Sequence, residues 1–202
     1  MEPAVSRVGV FGGAFDPPHR GHVALALTAL EQLQLDVLHV IPTGQAWHKS
    51  RDLTSGEHRL AMTRLAFEGV GRVRVDAREI ARSGPSYTVD TLTELQTVYP
   101  QAQLFLLLGE DQAQALQTWH RWQALARIAI ICVAARADCT GAIGQFDALM
   151  PLLPDMRILK MPPLAISATE IRRRLAHHEN VAPLVFEPVA RYIAHHHLYQ
   201  AA

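Results

Sequence analysis

Residues 9 to 22 read Gly9-Val10-Phe11-Gly12-Gly13-Ala14-Phe15-Asp16-Pro17-Pro18-His19-Arg20-Gly21-His22, and they carry the densest chemistry of the 202-residue chain. An apolar strand, Val8 to Phe11, runs into the pair Gly12-Gly13; His19-Arg20-Gly21-His22 follows, and then an apolar run from Val23 to Leu33. Glycines let backbone N–H groups approach a phosphate because no Cβ stands in the way. The start of the next helix offers unpaired N–H groups and the positive end of a dipole, which suits anions. His19 and His22 are spaced to share one helical face. Two imidazoles beside a cradle of N–H groups suit a polyphosphate whose charge shifts during reaction. Gly-Gly before Asp-Pro-Pro is also ordinary turn chemistry, but a histidine pair at helical spacing directly after such a turn is harder to explain by packing.

Further along stand other candidates. Ser167-Ala168-Thr169-Glu170 has the form of a capping box before a helix Ile171–Leu175. Arg172, Arg173 and Arg174 then crowd its first turn, where the dipole disfavours cations, and an anion at that end would relieve the conflict. Gly109-Glu110-Asp111 follows the apolar run Leu104–Leu108. An aspartate beyond a strand end of a doubly wound sheet can accept ribose hydroxyls, and Asp111 equally suits a helix N-cap. Trp119 and Trp122 lie in the polar stretch Gln117 to Gln123; a flat ring at 119 can stack on an aromatic ligand, while Trp122 falls at core spacing. Ser86-Tyr87-Thr88 opens a predicted helix, an environment that prefers a carboxylate to a neutral amide. His195-His196-His197 point in different directions on a helix, so they read as a solvated helix end, and no dedicated metal cage is read from the sequence.

The elements that must position these groups alternate. Strands are predicted at Val8–Phe11, Val37–Ile41, Val73–Val75, Leu104–Leu108 and Ile128–Val133. Helices are predicted at about 21–34, at 56–68 with Ser55 as cap and Leu60, Leu65 and Phe67 among the apolar positions, at 88–99, and at Glu187–Leu198, the last packing on the sheet. Residues 137–157 are the least patterned and read as a helix plus loop. Continuous apolar runs suit strands buried on both faces, and the alternation implies an α/β, doubly wound parallel sheet with a C-terminal helical segment. Every motif above falls just past a strand or at a helix start, where such sheets bind ligands.

Composition sets the bounds. At 202 residues the chain fits one domain, residues 1–202, with a full core. Lys and Arg number 19 and Asp and Glu 19, a formal net charge of zero, which argues against nucleic acid as the main partner. Cys132 and Cys139 are too few for a disulfide scaffold. With no signal-peptide pattern and no apolar run of membrane-spanning length, the expectation is a cytoplasmic protein with no membrane partner. The oligomeric state is left open.

The stretch from Gly12 to His22 resembles the nucleotidyltransferase superfamily that carries the His-x-Gly-His signature. Ile41-Pro42 with His48-Lys49, Pro85 to Thr88, Gly109 to Asp111, Thr118-Trp119 and Ile166 to Arg172 extend the resemblance, in order and over nearly the whole chain, to the bacterial nicotinate mononucleotide adenylyltransferases of NAD synthesis. The resemblance implies a Rossmann-like nucleotidyltransferase fold. It implies transfer of AMP from ATP to nicotinate mononucleotide, with Mg²⁺ carried on the ATP phosphates. His19 and His22 are the implied catalytic pair. ATP contacts are implied for Gly12, Gly13, Phe15, His19, His22, Gly109, Asp111, Ser167, Thr169 and Arg172. Mononucleotide contacts are implied for Lys49, Tyr87, Thr88, Trp119 and Arg136. The chain departs from the family pattern at Ala14, at Thr43-Gly44-Gln45 and at Ala46-Trp47, where threonine or serine, an asparagine-containing segment and a proline pair are usual. Nicotinamide mononucleotide and phosphopantetheine stay open as acceptors, and so does a non-catalytic nucleotide-sensing module.

Overall fold

The computed structural model describes residues 5–44, 53–136, 146, 149–162 and 164–200. Its frame is a six-stranded sheet of Arg7–Gly13 (β1), Val37–Pro42 (β2), Val73–Val75 (β3), Gln103–Gly109 (β4), Ala129–Arg136 (β5) and Arg157–Met161 (β6). All neighbouring strands run parallel, in the order β3-β2-β1-β4-β5-β6. The helices are Arg20–Gln32 (α1), Gly56–Ala66 (α2), Arg78–Ala81 (α3), Thr88–Val98 (α4), Glu110–Gln114 (α5), Trp122–Ile128 (α6), Ala168–Ala176 (α7) and Glu187–His195 (α8). The expected doubly wound α/β sheet is present.

Alternation along the central strands divides the apolar residues between two cores. Leu104, Leu106 and Leu108 of β4 join Val8 and Val10 of β1 under α4, α5 and α6, where Leu92, Leu95, Ala113 and Leu125 are buried. Phe105 and Leu107 point the other way, with Phe11 of β1 and Cys132 and Ala134 of β5, toward Val23, Ala26, Met62, Ile171 and Val189 on α1, α2, α7 and α8. A strand buried on both faces needs an apolar residue at every position, which is why these runs are continuous. The chain winds outward from β1 to β3 and then returns to place β4 on the other side of β1. Connections on either side of that switch point leave in opposite directions, so a crevice opens beyond the carboxyl ends of β1 and β4.

Four features depart from or add to what the sequence predicts. Helix α2 buries Arg59, Met62, Thr63 and Ala66, while Leu60 and Leu65 are only half-buried. Arg59 takes a core position because its guanidinium bonds backbone oxygens there, donating to Thr54 at 2.8 Å and to Ala14 at 3.0 Å. Helix α8 packs against α2 through Val189 and Ile193 and ends at His195, three residues early. Helix α7 begins at Ala168, which moves Arg172, Arg173 and Arg174 out of its first turn. The fourth is β6 itself, in and beyond the stretch read as unpatterned. No helix among the described residues is long and apolar enough to cross a membrane.

Candidate active site

A cleft of about 880 Å³ opens at the carboxyl ends of the strands. Its floor is the end of β1. Gly12 and Gly13 line it, and the backbone carbonyl of Gly13 accepts from Thr43, from the N–H at 2.8 Å and from Oγ1 at 3.0 Å. Phe15 follows in the left-handed region, φ 48, an unusual backbone for a bulky residue. Its ring is buried edge-on against Phe11 at 5.3 Å and His22 at 4.9 Å between centroids, and this packing holds the strained turn in place.

The histidine pair sits at the start of α1. His19 is the N-cap residue and His22 lies one turn on, as the spacing predicts. Their rings stack with centroids 3.7 Å apart and 25° between planes. The backbone N–H of His19 donates to Nδ1 of His22 at 3.2 Å. With Nδ1 accepting, the neutral ring of His22 carries its proton on Nε2. Burial holds His19 down at about 4. Burial, and then the neighbouring His19, hold His22 well below the ordinary imidazole range. Both rings are therefore neutral near pH 7, able to donate one N–H each and to gain charge when an anion arrives. Gly21 leaves room for the stack, since a Cβ there would stand a tight 3.1 Å from the His19 ring.

Helix α7 meets this floor from the side. Ser167 is its N-cap and accepts the Glu170 N–H at 3.2 Å. The other half of the expected capping box does not form, because the Glu170 carboxylate is taken by Arg173 and Arg174 at 2.9 and 2.7 Å. Ser167, Thr169 and Arg172 all face the cleft. Arg172 donates to the carbonyl oxygen of Asp16 at 2.7 Å and to Thr169 Oγ1 at 3.1 Å. Arg173 and Arg174 are spent on surface ion pairs, Arg173 also reaching Glu179 at 2.8 Å. A cationic guanidinium, two helix starts and two neutral imidazoles thus converge on one end of the cleft, an arrangement that binds phosphates.

The other end is aromatic. Tyr87 is the N-cap residue of α4, no side chain caps that helix, and Thr88 begins it. Both line the cleft, as does Trp119. Tyr87 packs on His120 with centroids 4.3 Å apart. Trp122 is half-buried against the α4–α6 core, as its spacing predicts. Gly109 is the N-cap of α5, so Asp111 is not a cap; it lies exposed in the first turn at the cleft margin. Lys49 lies outside the described residues, with Gln45 to His48. Arg136 is described only as the last residue of β5.

Two residues in the cleft wall carried no assignment from the sequence. Glu79 is 6% exposed, accepts Thr91 Oγ1 at 2.8 Å and the Gly44 N–H, and its carboxyl is pushed up by burial. A Cβ at Gly44 would collide with the Glu79 carbonyl oxygen, so the unusual Thr43-Gly44 fits this close approach. Glu79 lies in a four-residue helix, too short to show periodicity. Asp16 is 1% exposed, and its partners include residues 54, 172 and 199, separations no local pattern reveals. Among the described residues no group of three or more His, Cys, Asp or Glu is placed to hold a metal ion.

Comparison with known proteins agrees with this geometry. Residues 10–174 match the family model described as cytidylyltransferase-like. A protein of Albidiferax ferrireducens named "Probable nicotinate-nucleotide adenylyltransferase" is 60% identical over 198 residues, covering 98% of this chain and 100% of the relative. One of the same name from Methylibium petroleiphilum is 43% identical, covering 96% of this chain and 92% of the relative. The nicotinic acid mononucleotide adenylyltransferase of Plasmodium falciparum, solved in complex with APC, superposes with a TM-score of 0.79 at 18% identity, over 96% of this chain and 97% of that one. The fold is shared with that enzyme, and on sequence the chain belongs to the cytidylyltransferase-like family and, within it, to the nicotinate-nucleotide adenylyltransferases.

Proposed function

We infer that the protein transfers AMP from ATP to nicotinate mononucleotide, forming deamido-NAD and pyrophosphate in NAD synthesis. The observation that carries this reading is the stacked His19–His22 pair, tied to backbone through His22 Nδ1 and facing the same cleft as Arg172 at one end and the uncapped start of α4 at the other. The reaction needs no nucleophilic side chain. A phosphate oxygen of the mononucleotide attacks the α-phosphorus of ATP, the new P–O bond forms as the bond to the β-phosphate oxygen breaks, and pyrophosphate leaves with that electron pair. Catalysis then rests on alignment and on stabilising charge as it develops. His22 Nε2–H donates to the reacting phosphates, and Arg172 with the α7 start holds the leaving pyrophosphate. Mg²⁺ enters with ATP as part of the substrate, held by phosphate oxygens and water. Ribose contacts fall to Gly109 and Asp111. The reaction runs in the cytoplasm.

Acceptor choice follows from α4. A carboxylate on the pyridine ring accepts from the first-turn N–H groups near Thr88, whereas an amide turns an NH₂ toward donors. That mismatch costs about 1–3 kcal/mol per buried group, and the lost charge–dipole attraction adds roughly 0.3–2 kcal/mol. The expected preference for nicotinate over nicotinamide mononucleotide is at least about tenfold in kcat/KM. Pyrophosphate release with ATP against both mononucleotides and phosphopantetheine checks it. Equal rates with the two mononucleotides would remove the α4 assignment; no turnover with any acceptor would leave a nucleotide-sensing module.

A further inference from the structure

We propose that Tyr199, near the C-terminus, is a positioning residue of the ATP-phosphate site, acting through the buried carboxylate of Asp16; this rests on the adenylyltransferase reading above. Asp16 lies between Phe15 and the histidine pair, and it gathers contacts from three distant segments. The Tyr199 hydroxyl donates to Oδ1 at 2.6 Å, and the Thr54 N–H donates to Oδ2 at 3.4 Å. The Asp16 carbonyl oxygen accepts from Arg172 at 2.7 Å. Arg59 ties the same region together by bonding the carbonyl oxygens of Ala14 and Thr54. Asp16 therefore couples the turn before His19 to the arginine assigned to the ATP phosphates, and Tyr199 supplies a short bond to its carboxylate.

The backbone beyond α8 is shaped to deliver this hydroxyl. His197 and Tyr199 both take left-handed conformations, φ 50 and φ 64, which non-glycine residues hold only when the surroundings fix them. The Leu198 N–H donates to the Ile193 carbonyl at 3.0 Å, and the Leu198 and Tyr199 side chains pack against the core that α1, α2 and α8 share. Burial, and then the bond to Asp16, push the Tyr199 phenol well above its ordinary range, so it is an O–H donor near neutral pH. A hydroxyl bond to a buried carboxylate is charge-assisted and short, and its loss leaves Oδ1 without that donor. Asp16 then relaxes, and Arg172 and the His19 turn move with it.

The test is Tyr199→Phe, which keeps the ring and its packing. The expected result is a fall of about tenfold in kcat/KM for ATP and a matching loss of ATP affinity by titration calorimetry, with the KM for nicotinate mononucleotide unchanged. A merely structural anchor would lower Tm and leave that split absent. Val189→Ala, a cavity in the core under α8, serves as the control, with Tm lowered and both KM values unchanged. Asp16→Asn introduced into Tyr199→Phe adds much less than it does in the wild type, because the two act on one contact. Unchanged ATP affinity in Tyr199→Phe, equal effects on both substrates, or additive effects of the two substitutions would overturn the proposal. Absence of pyrophosphate release by the wild-type protein would instead overturn the adenylyltransferase reading, and the ATP titration would still decide the role of Tyr199.

Discussion

His22 and His19 share one ring stack but have different constraints. His22 is oriented by the backbone bond to Nδ1, which leaves Nε2–H to donate. His19 has a buried Nδ1 with no protein partner among the described residues. An oriented neutral donor suits a transition state in which phosphate charge rises and the imidazole gains from it. His22→Ala should therefore lower kcat by about 10²–10³-fold with a smaller change in the KM for ATP, as for the loss of one preorganised donor. Steady-state kinetics on the folded variant checks this, and retention of more than about a tenth of wild-type turnover would end the assignment. The pair and its spacing were legible in the chain. The ring stack and the tautomer were not, because both depend on backbone angles at His19 that the residue types leave open.

Helix α7 shows how a cap sets the register of a whole helix. Because Ser167 caps, the helix starts at Ala168 and Arg172 to Arg174 fall in the second turn, where the dipole conflict read from the sequence is weak. Glu170 meets two of the three arginines at the surface, and such exposed pairs contribute little. Arg172 alone points into the cleft and bonds Asp16. Arg172→Ala should raise the KM for ATP at least about tenfold, by analogy with the loss of a hydrogen bond to a charged group. Arg173→Ala and Arg174→Ala should leave it within about twofold. ATP titration of the three variants decides, and equal values would sink the distinction. The same limits explain α2 and β6. Arg59 could not be read as a core residue from its type, since its burial depends on carbonyl oxygens from residues 14 and 54. Strand β6 is five residues long at the sheet edge, with only Leu159 buried, so it lacks the apolar run that marks β4.

Stability of the folded chain carries the signature of its site. His19 binds no proton in the folded state until the pH nears 4, whereas the unfolded chain takes one up near 6.5. Between those values the unfolded state holds more protons, so stability falls as pH falls through that window and is at its fullest above it. The gap corresponds to roughly 3 kcal/mol at the acid limit. Asp76 acts in the same direction lower on the scale. Although burial opposes it, bonds from His39 and Arg78 hold its carboxyl well below the usual range, a contribution lost only as the pH falls below that range. Urea midpoints should drop between about pH 7.5 and about pH 5, and His19→Asn should flatten the slope. An unchanged midpoint in the wild type would show that His19 is not neutral when buried.

Residue order alone settled the alternation of strands and helices, the continuous apolar runs of β4 and β5, the glycine turn and the histidine spacing. These are local or periodic properties, written into neighbouring residues. It also placed Tyr87, Thr88 and Trp119 beside strand ends, because a doubly wound sheet sends every carboxyl end to one edge. Folding decided the rest. It made Asp16 the meeting point of residues 54, 172 and 199, put Glu79 in the cleft wall, gave Arg59 a core position, and separated Arg172 from its two neighbours. Each of these depends on groups far apart in the chain approaching within hydrogen-bond distance, and no pattern of neighbours encodes that approach.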